Sequence, residues 1–359
     1  MMISAKSFSL NKNVNRGSQG VKKVALQPVN AIAERFAAQA DTGKPYFNMI
    51  PKNGKWPKGI PPVMGGHLMD SGVVSPISVS KGAGIDITPH QFQYPAVEGE
   101  VALSVVPSKS DVPAAIANIV VESAKAAIAA KGSFTLVVSG GSLPEYFTTL
   151  SQSTEVAWDK VFVFFVDERN VPHASEDSTF RAVKASLFSK VPIPASNIFA
   201  ILEDLTTKEA AINYEGRLLQ ISKSILPRGA DGVFPVFDLV LLGIGPDGHI
   251  ASLFPNRPEV SAVSGWVLPV EASPKPPSAR ITMTLPVINA AKDVVIVALG
   301  KSKAEIVERV LEIQSLPGAL PAQLVRPSAG KLQWLLDTEA AKNLHIKDWS
   351  NSKLYPRSG

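Results

Sequence analysis

The chain has 359 residues, enough for one large domain or two ordinary ones. Hydrophobic residues make up 45% and charged residues 19%, the balance of a globular protein with a sizeable core, and no apolar run approaches the roughly 18 residues of a membrane span. With no cysteine, disulfides, thiolate nucleophiles and cysteine metal sites are excluded. The net charge of +5 is unevenly spread: residues 1–97 hold 11 of the 36 Lys and Arg and 4 of the 31 Asp and Glu, so that stretch carries +7 and the rest −2. A nucleic-acid partner would need a basic patch on the folded part, and none is visible there.

Residues 1–33 contain no acidic residue and carry Lys6, Lys12, Arg16, Lys22 and Lys23 among Ser and Asn, the composition of an organelle transit peptide. Val29 to Ala40 has the spacing of a short amphipathic helix. From Gly43 to Pro95 the chain is rich in Pro and Gly with little periodicity, as in a linker or an arm laid over a domain surface. Residues 1–97 are therefore expected to be an irregular extension, and residues 98–359 the folded domain. The plastid stroma is the expected compartment, because Arg is sparse relative to Ser, Asn and Lys; the cytoplasm is the alternative.

After Val101 a regular alternation begins. Asp111 is the expected N-cap, and Pro113 an early residue, of an Ala-rich helix ending near Gly132. Phe134–Val138 reads as a buried strand, followed by the turn Ser139-Gly140-Gly141-Ser142 and a helix from Pro144. Further strands are expected at Val161–Val166, Phe237–Leu242, Val294–Leu299 and Trp334–Leu336. Helices are expected at Ser178–Ser189, Thr207–Ser224, Ser302–Gln314 and Thr338–Leu344. Near-continuous apolar strands alternating with helices predict an α/β fold, a mainly parallel sheet covered on both faces.

Ligands bind such sheets beyond the C-terminal ends of the strands, where three loops stand out. In Gly140-Gly141-Ser142, two glycines allow close backbone approach and the following helix offers free N–H groups, which together favour an anion; the plain alternative is a tight strand-to-helix turn. Asp167-Glu168-Arg169 puts three charges at a strand end. Arg169 could grip a phosphate with a carboxylate orienting it, and a structural ion pair is an equal alternative. The third loop, Gly243-Ile244-Gly245-Pro246-Asp247-Gly248-His249, formally matches G-x-G-x-x-G. A dinucleotide fits it poorly, because Pro255 limits the following helix to about two turns and Asp247 and His249 crowd the turn. A catalytic turn fits better, with His249 as general base and Asp247 fixing its tautomer. No histidine pair has metal-ligand spacing, so no metal is expected.

Three segments, VVSGGSLPEYF at 137–147, FFVDERNVPHASEDSTF at 164–180 and FDLVLLGIGPDGHIASLFP at 237–255, closely resemble the 6-phosphogluconolactonase family. Residues 279–307 and PAQLVRP at 321–327 agree more weakly; Thr179 departs from the family's usual Asn. The resemblance implies the Rossmann-like α/β fold shared with sugar-phosphate isomerases and deaminases. It also implies hydrolysis of 6-phosphoglucono-1,5-lactone, with no cofactor and with a phosphorylated sugar lactone as the small-molecule partner. Under it, His249 activates water, Asp247 supports it, backbone N–H groups of the Gly245 to Gly248 turn stabilise the oxyanion, and Arg169, the 140–142 loop and Arg280 or Lys303 hold the 6-phosphate. No membrane partner is expected, and the oligomeric state is left open. The nearest rival is a glucosamine-6-phosphate deaminase, but that family continues its turn toward Phe-Asn-Glu-Pro where this chain reads Ser252-Leu253-Phe254-Pro255. A rival of another class is a non-catalytic sugar-phosphate binder or assembly subunit that kept the fold, supported only by the unmatched extension.

Overall fold

The computed structural model describes residues 90–93, 100–312 and 320–345, all within one compact unit spanning residues 43–359. The expected transit peptide, the Val29 to Ala40 helix and nearly all of the linker lie outside the described residues. The strands are β1 (His90–Gln93), β2 (Glu100–Val106), β3 (Phe134–Val138), β4 (Val161–Phe165), β5 (Asp167–Arg169), β6 (Ile198–Phe199), β7 (Leu239–Gly243), β8 (Val267–Val270), β9 (Arg280–Met283), β10 (Asp293–Ala298) and β11 (Lys331–Asp337). The α-helices are α1 (Val112–Lys131), α2 (Thr179–Val183), α3 (Thr207–Gln220), α4 (Leu285–Asn289), α5 (Ala304–Leu311) and α6 (Thr338–Ala341).

Eight strands form one sheet in the order β1-β2-β11-β10-β7-β3-β4-β6, parallel throughout except for the antiparallel β1–β2 edge. The edge strand β1 lies upstream of the expected boundary at residue 98, within the segment read as linker. The expected parallel sheet is present, and its strands are apolar on both sides because both faces are covered. Leu136, Val138, Val163, Phe165, Leu239, Leu241 and Val295 pack with α1 on one face. Val137, Phe164, Val240, Leu242, Val294 and Ile296 pack with α3 and α5 on the other. Strand alternation thus splits each run between two cores.

From β3 the chain winds outward through β4 to β6, then returns to β7 and winds the other way through β10 to β11. The order reverses between β3 and β7, the position at which open α/β sheets bind ligands. Both ends of this junction are pinned. At the N-terminal end buried Asp238 accepts from Thr135 N at 2.9 Å and Oγ1 at 2.8 Å and pairs with Lys131 and Lys292, each at 2.9 Å. At the C-terminal end Gly243 N donates to Ser139 Oγ at 2.9 Å.

Helix α1 is long and apolar enough, by composition, to cross a membrane, although no single apolar run announces it. Its buried residues, among them Ile116, Val120 and Val121, pack on the sheet as those of a core helix do. Asp111 does not cap α1 with its side chain; its carboxylate turns back to Ser108 N at 3.0 Å, closing a capping box one turn earlier. Residues 143–147 form a 3-10 helix, and the segment from Thr179 passes from α-helix into a π turn at Lys184–Phe188. Helix α3 stops at Gln220, α6 at Ala341 and α5 at Leu311; Gln314 lies outside the described residues. A second sheet, β5-β9-β8, is antiparallel and was not anticipated.

Candidate active site

A cleft of about 410 Å³ opens over the β3–β7 junction. Gly140, Gly141, Ser142, Asp167, Arg169, Gly245, His249, Arg280 and Lys303 all line it. Nine of the residues singled out from five separate places in the sequence therefore meet in one place. Asp247 stands immediately behind His249.

The turn after β7 is built around that pair. His249 Nδ1 lies 2.5 Å from Asp247 Oδ1. With the carboxylate accepting, Nδ1 carries the proton and Nε2 keeps its lone pair. The ring packs on Phe254, with centroids 4.6 Å apart, and the side chain is 17% exposed. Residue 245 must be glycine, since a Cβ there would overlap the His249 ring and the Asp247 carboxylate. No helix follows the turn. Gly248 (φ 79°) and Ala251 (φ 47°) are left-handed, and Ile244 bridges to Ile250, so the two-turn helix expected before Pro255 is replaced by a tight loop.

Burial lowers the His249 pKa, and the Lys275 charge adds to this; the bond to Asp247 and the charges of Asp247 and Asp167 oppose it and are outweighed. The imidazole is therefore neutral at neutral pH, as a base requires. For Asp247, burial alone would raise the carboxyl pKa, but His249, the residue's own amide and Lys275 together hold it below the usual range.

The trio Asp167-Glu168-Arg169 is a strand, so its side chains alternate. Asp167 and Arg169 face the cleft. Glu168 faces the other way, buried against the start of α2, where Oε1 accepts from Thr179 N at 2.8 Å and Oε2 from Phe180 N at 2.7 Å. Burial raises its pKa, and its amide partners mark it as a structural anchor rather than the ligand contact expected of it. Asp167 Oδ2 accepts from the Ser252 hydroxyl at 2.7 Å, while its Oδ1 and Arg169 Nε are buried with no hydrogen-bond partner among the described residues. Thr179 Oγ1 is likewise unpartnered, and it lies where a Cβ on Gly140 would fall, 2.5 Å away. Gly140 is thus required by close packing of the two loops.

Two further expectations change. Gly248 does not line the cleft; its N–H donates to Gly245 O at 3.0 Å and the Gly245 N–H to His249 O at 2.9 Å. Those amides are consumed inside the turn and are not oxyanion donors. Arg280 lines the cleft, but its Nε donates to Pro277 O at 2.8 Å and its Nη2 to Lys275 O and Pro276 O at 3.1 and 2.9 Å. It brings charge close to Arg169, with most of its donors already committed. Lys303 sits at the turn end of the cleft, where Nζ donates to Ile244 O at 2.7 Å. Sequence reasoning missed Ser252, Lys275, and Lys109 and Tyr146 at the rim. Lys275, flanked by prolines in Ser-Pro-Lys-Pro-Pro, reads as linker, and only its position in space reveals it.

The arrangement offers a neutral base, an unpartnered guanidinium N–H and several cations in one half-enclosed cleft, suited to water attack on an anionic substrate. The family model for glucosamine-6-phosphate isomerases and 6-phosphogluconolactonase matches residues 107–334. The 6-phosphogluconolactonase of Homo sapiens is 39% identical over 261 residues, covering 70% of this chain and 97% of that one. The chloroplastic 6-phosphogluconolactonase 3 of Arabidopsis thaliana is 42% identical over 218 residues, covering 60% and 66%. The solved structure of the Trypanosoma brucei 6-phosphogluconolactonase superposes with a TM-score of 0.58 at 26% identity, over 70% of this chain and 100% of that one. The matched stretch holds every residue of the cleft, and the fold agrees along with it: the chain belongs to the glucosamine-6-phosphate isomerase/6-phosphogluconolactonase family.

Proposed function

We propose that this protein hydrolyses 6-phosphoglucono-1,5-lactone to 6-phosphogluconate, the second step of the oxidative pentose phosphate pathway. The observation that carries this reading is the Asp247–His249 pair, with its free Nε2, in the same cleft as the unpartnered Arg169 Nε. Nε2 takes a proton from water as the water oxygen attacks the lactone carbonyl carbon. The tetrahedral intermediate collapses by breaking the ring C–O bond, and the ring oxygen leaves as the sugar hydroxyl by taking the proton back from His249 Nε2. Lys303, beside the turn, meets the negative charge developing on the carbonyl oxygen, in place of the consumed turn amides. Arg169 and the Gly140-Gly141-Ser142 backbone hold the phosphate. Asp167 Oδ1, an acceptor with no partner, is suited to a sugar hydroxyl and unsuited to a phosphate.

The test is consumption of lactone generated freshly from glucose 6-phosphate, measured against spontaneous opening. Acceleration is expected, with no ammonia released from glucosamine 6-phosphate. Ammonia release without lactone consumption would favour the deaminase reading.

The catalytic unit is residues 98–359, with β1 as an added edge strand, and residues 1–97 are an extension that directs the chain to a plastid. The acid-free basic composition of residues 1–33 and the chloroplastic relative support this. Deleting residues 1–33 is expected to leave kcat unchanged and to abolish import into isolated chloroplasts. A cytosolic full-length fusion would overturn the assignment.

A further inference from the structure

The catalytic pair is also touched by a cation from outside its own turn. Lys275 stands on the loop between β8 and β9, and its Nζ lies 3.3 Å from Asp247 Oδ1 and 3.3 Å from His249 Nδ1. It is not among the residues that line the cleft. A lysine side chain ordinarily has rotamer entropy working against a fixed position. Here the backbone at its root is held. Lys275 O accepts from Arg280 Nη2 at 3.1 Å and from Ser273 Oγ at 2.9 Å, and Lys275 N donates to Ser273 Oγ at 3.2 Å. Arg280 also holds the next two carbonyls, of Pro276 and Pro277. The buried guanidinium thus stations the loop, and the loop stations the ammonium.

We infer that Lys275, clamped through Arg280, is a positioning residue of the catalytic pair, sharing the Asp247 carboxylate with His249 and opposing protonation of the imidazole. The inference rests on the reading of His249 as the base. An aspartate alone behind a histidine stabilises the imidazolium and draws it toward the protonated form. A cation on the same carboxylate oxygen weakens that pull while leaving the ring oriented. The charged groups around the imidazole are Asp247 on its own turn, Lys275 from the β8–β9 loop and Asp167 from β5. Lys303, beside the Ile244 carbonyl, is coupled to Lys275 and Asp247. Arg280 stacks on Phe254, the ring under His249, at 5.8 Å. Of these, Lys275 is the cation in contact with Nδ1. The competing account makes it one member of a half-exposed ion pair, of little energetic weight and without effect on titration.

The two accounts part in the pH profile of kcat/KM. Removing a positive charge beside the imidazole favours its protonation, so Lys275→Met is expected to move the acid limb to higher pH. At about pH 5.5, below the ordinary imidazole value, the loss should be roughly tenfold, within the coupling range of contacting residues, and about twofold or less on the alkaline plateau. Lys275→Arg, which keeps the charge, should restore the wild-type limb. Asp247→Asn should move the limb the opposite way, to lower pH, because it removes the group that favours the imidazolium. Should Lys275→Met destabilise the loop, NMR titration of the His249 ring in the Lys275→Gln and Lys275→Arg variants gives the same comparison. An unmoved limb, or an equal loss at every pH in both Met and Arg variants, overturns the inference. The base reading is judged separately: if His249→Asn keeps wild-type kcat that reading fails, and if only the Lys275 limb stays put this inference fails alone.

Discussion

His249→Asn lowers kcat by about 10²–10⁴-fold, the usual contribution of a positioned general base, while KM changes little. Asparagine has similar reach and can still bond to Asp247, but its amide cannot accept a proton from water near neutral pH. The phosphate grip, on Arg169 and the 140–142 loop, is untouched. Burial holds the His249 pKa below the ordinary value, so the wild-type rate above the spontaneous background is flat through neutrality. It falls on acidification, with a midpoint below the ordinary imidazole value, as the ring gains a proton, and this acid limb disappears in the variant. The measurement is initial rate against pH with the uncatalysed opening subtracted at each point. Near-wild-type kcat in a folded His249→Asn protein would mean that another group activates the water.

The sequence reached the cleft by the loops that follow long apolar strands. Phe134–Val138 and Val161–Phe165 are legible because both faces of the sheet are covered, so their side chains are apolar apart from Thr135, whose hydroxyl is satisfied by Asp238. The second sheet is not legible. β5 is three charged residues, and its register partners lie more than a hundred residues away, Asp167 opposite Thr282 and Arg169 opposite Arg280. Read as a loop, the trio gives no reason to separate its members. Read as a strand, its alternation sends Asp167 and Arg169 to the cleft and Glu168 to α2. The turn at 245–250 fails differently: its motif matches a helix-opening pattern, and only the left-handed backbone at Gly248 and Ala251 shows that no helix starts. Lys275 and Arg280 owe their roles to partners brought together by tertiary folding. Arg280, named from the resemblance as a candidate phosphate contact, lines the cleft and also holds three backbone carbonyls.

Arg169→Ala separates binding from chemistry. Its Nη1 donates to Asp177 O at 2.8 Å, which fixes the guanidinium at the cleft wall, while the buried Nε has no partner among the described residues. A buried donor without an acceptor costs about 1–3 kcal/mol, a debt that a bound phosphate oxygen would cancel. Arg280 stands close enough for its charge to be felt, yet its committed donors cannot take over the contact. A charge-assisted bond of about 1.5–3 kcal/mol corresponds to roughly 10–150-fold in binding. Because the phosphate is remote from the reacting carbonyl, the loss falls alike on substrate and transition state. KM should rise by about that factor while kcat falls far less. The non-phosphorylated lactone supplies the control. It should be a poor substrate for the wild type and almost indifferent to Arg169→Ala, since it never made the contact. Equal damage on both lactones would assign Arg169 to holding the Asp177 segment instead, and the phosphate grip would pass to the 140–142 backbone.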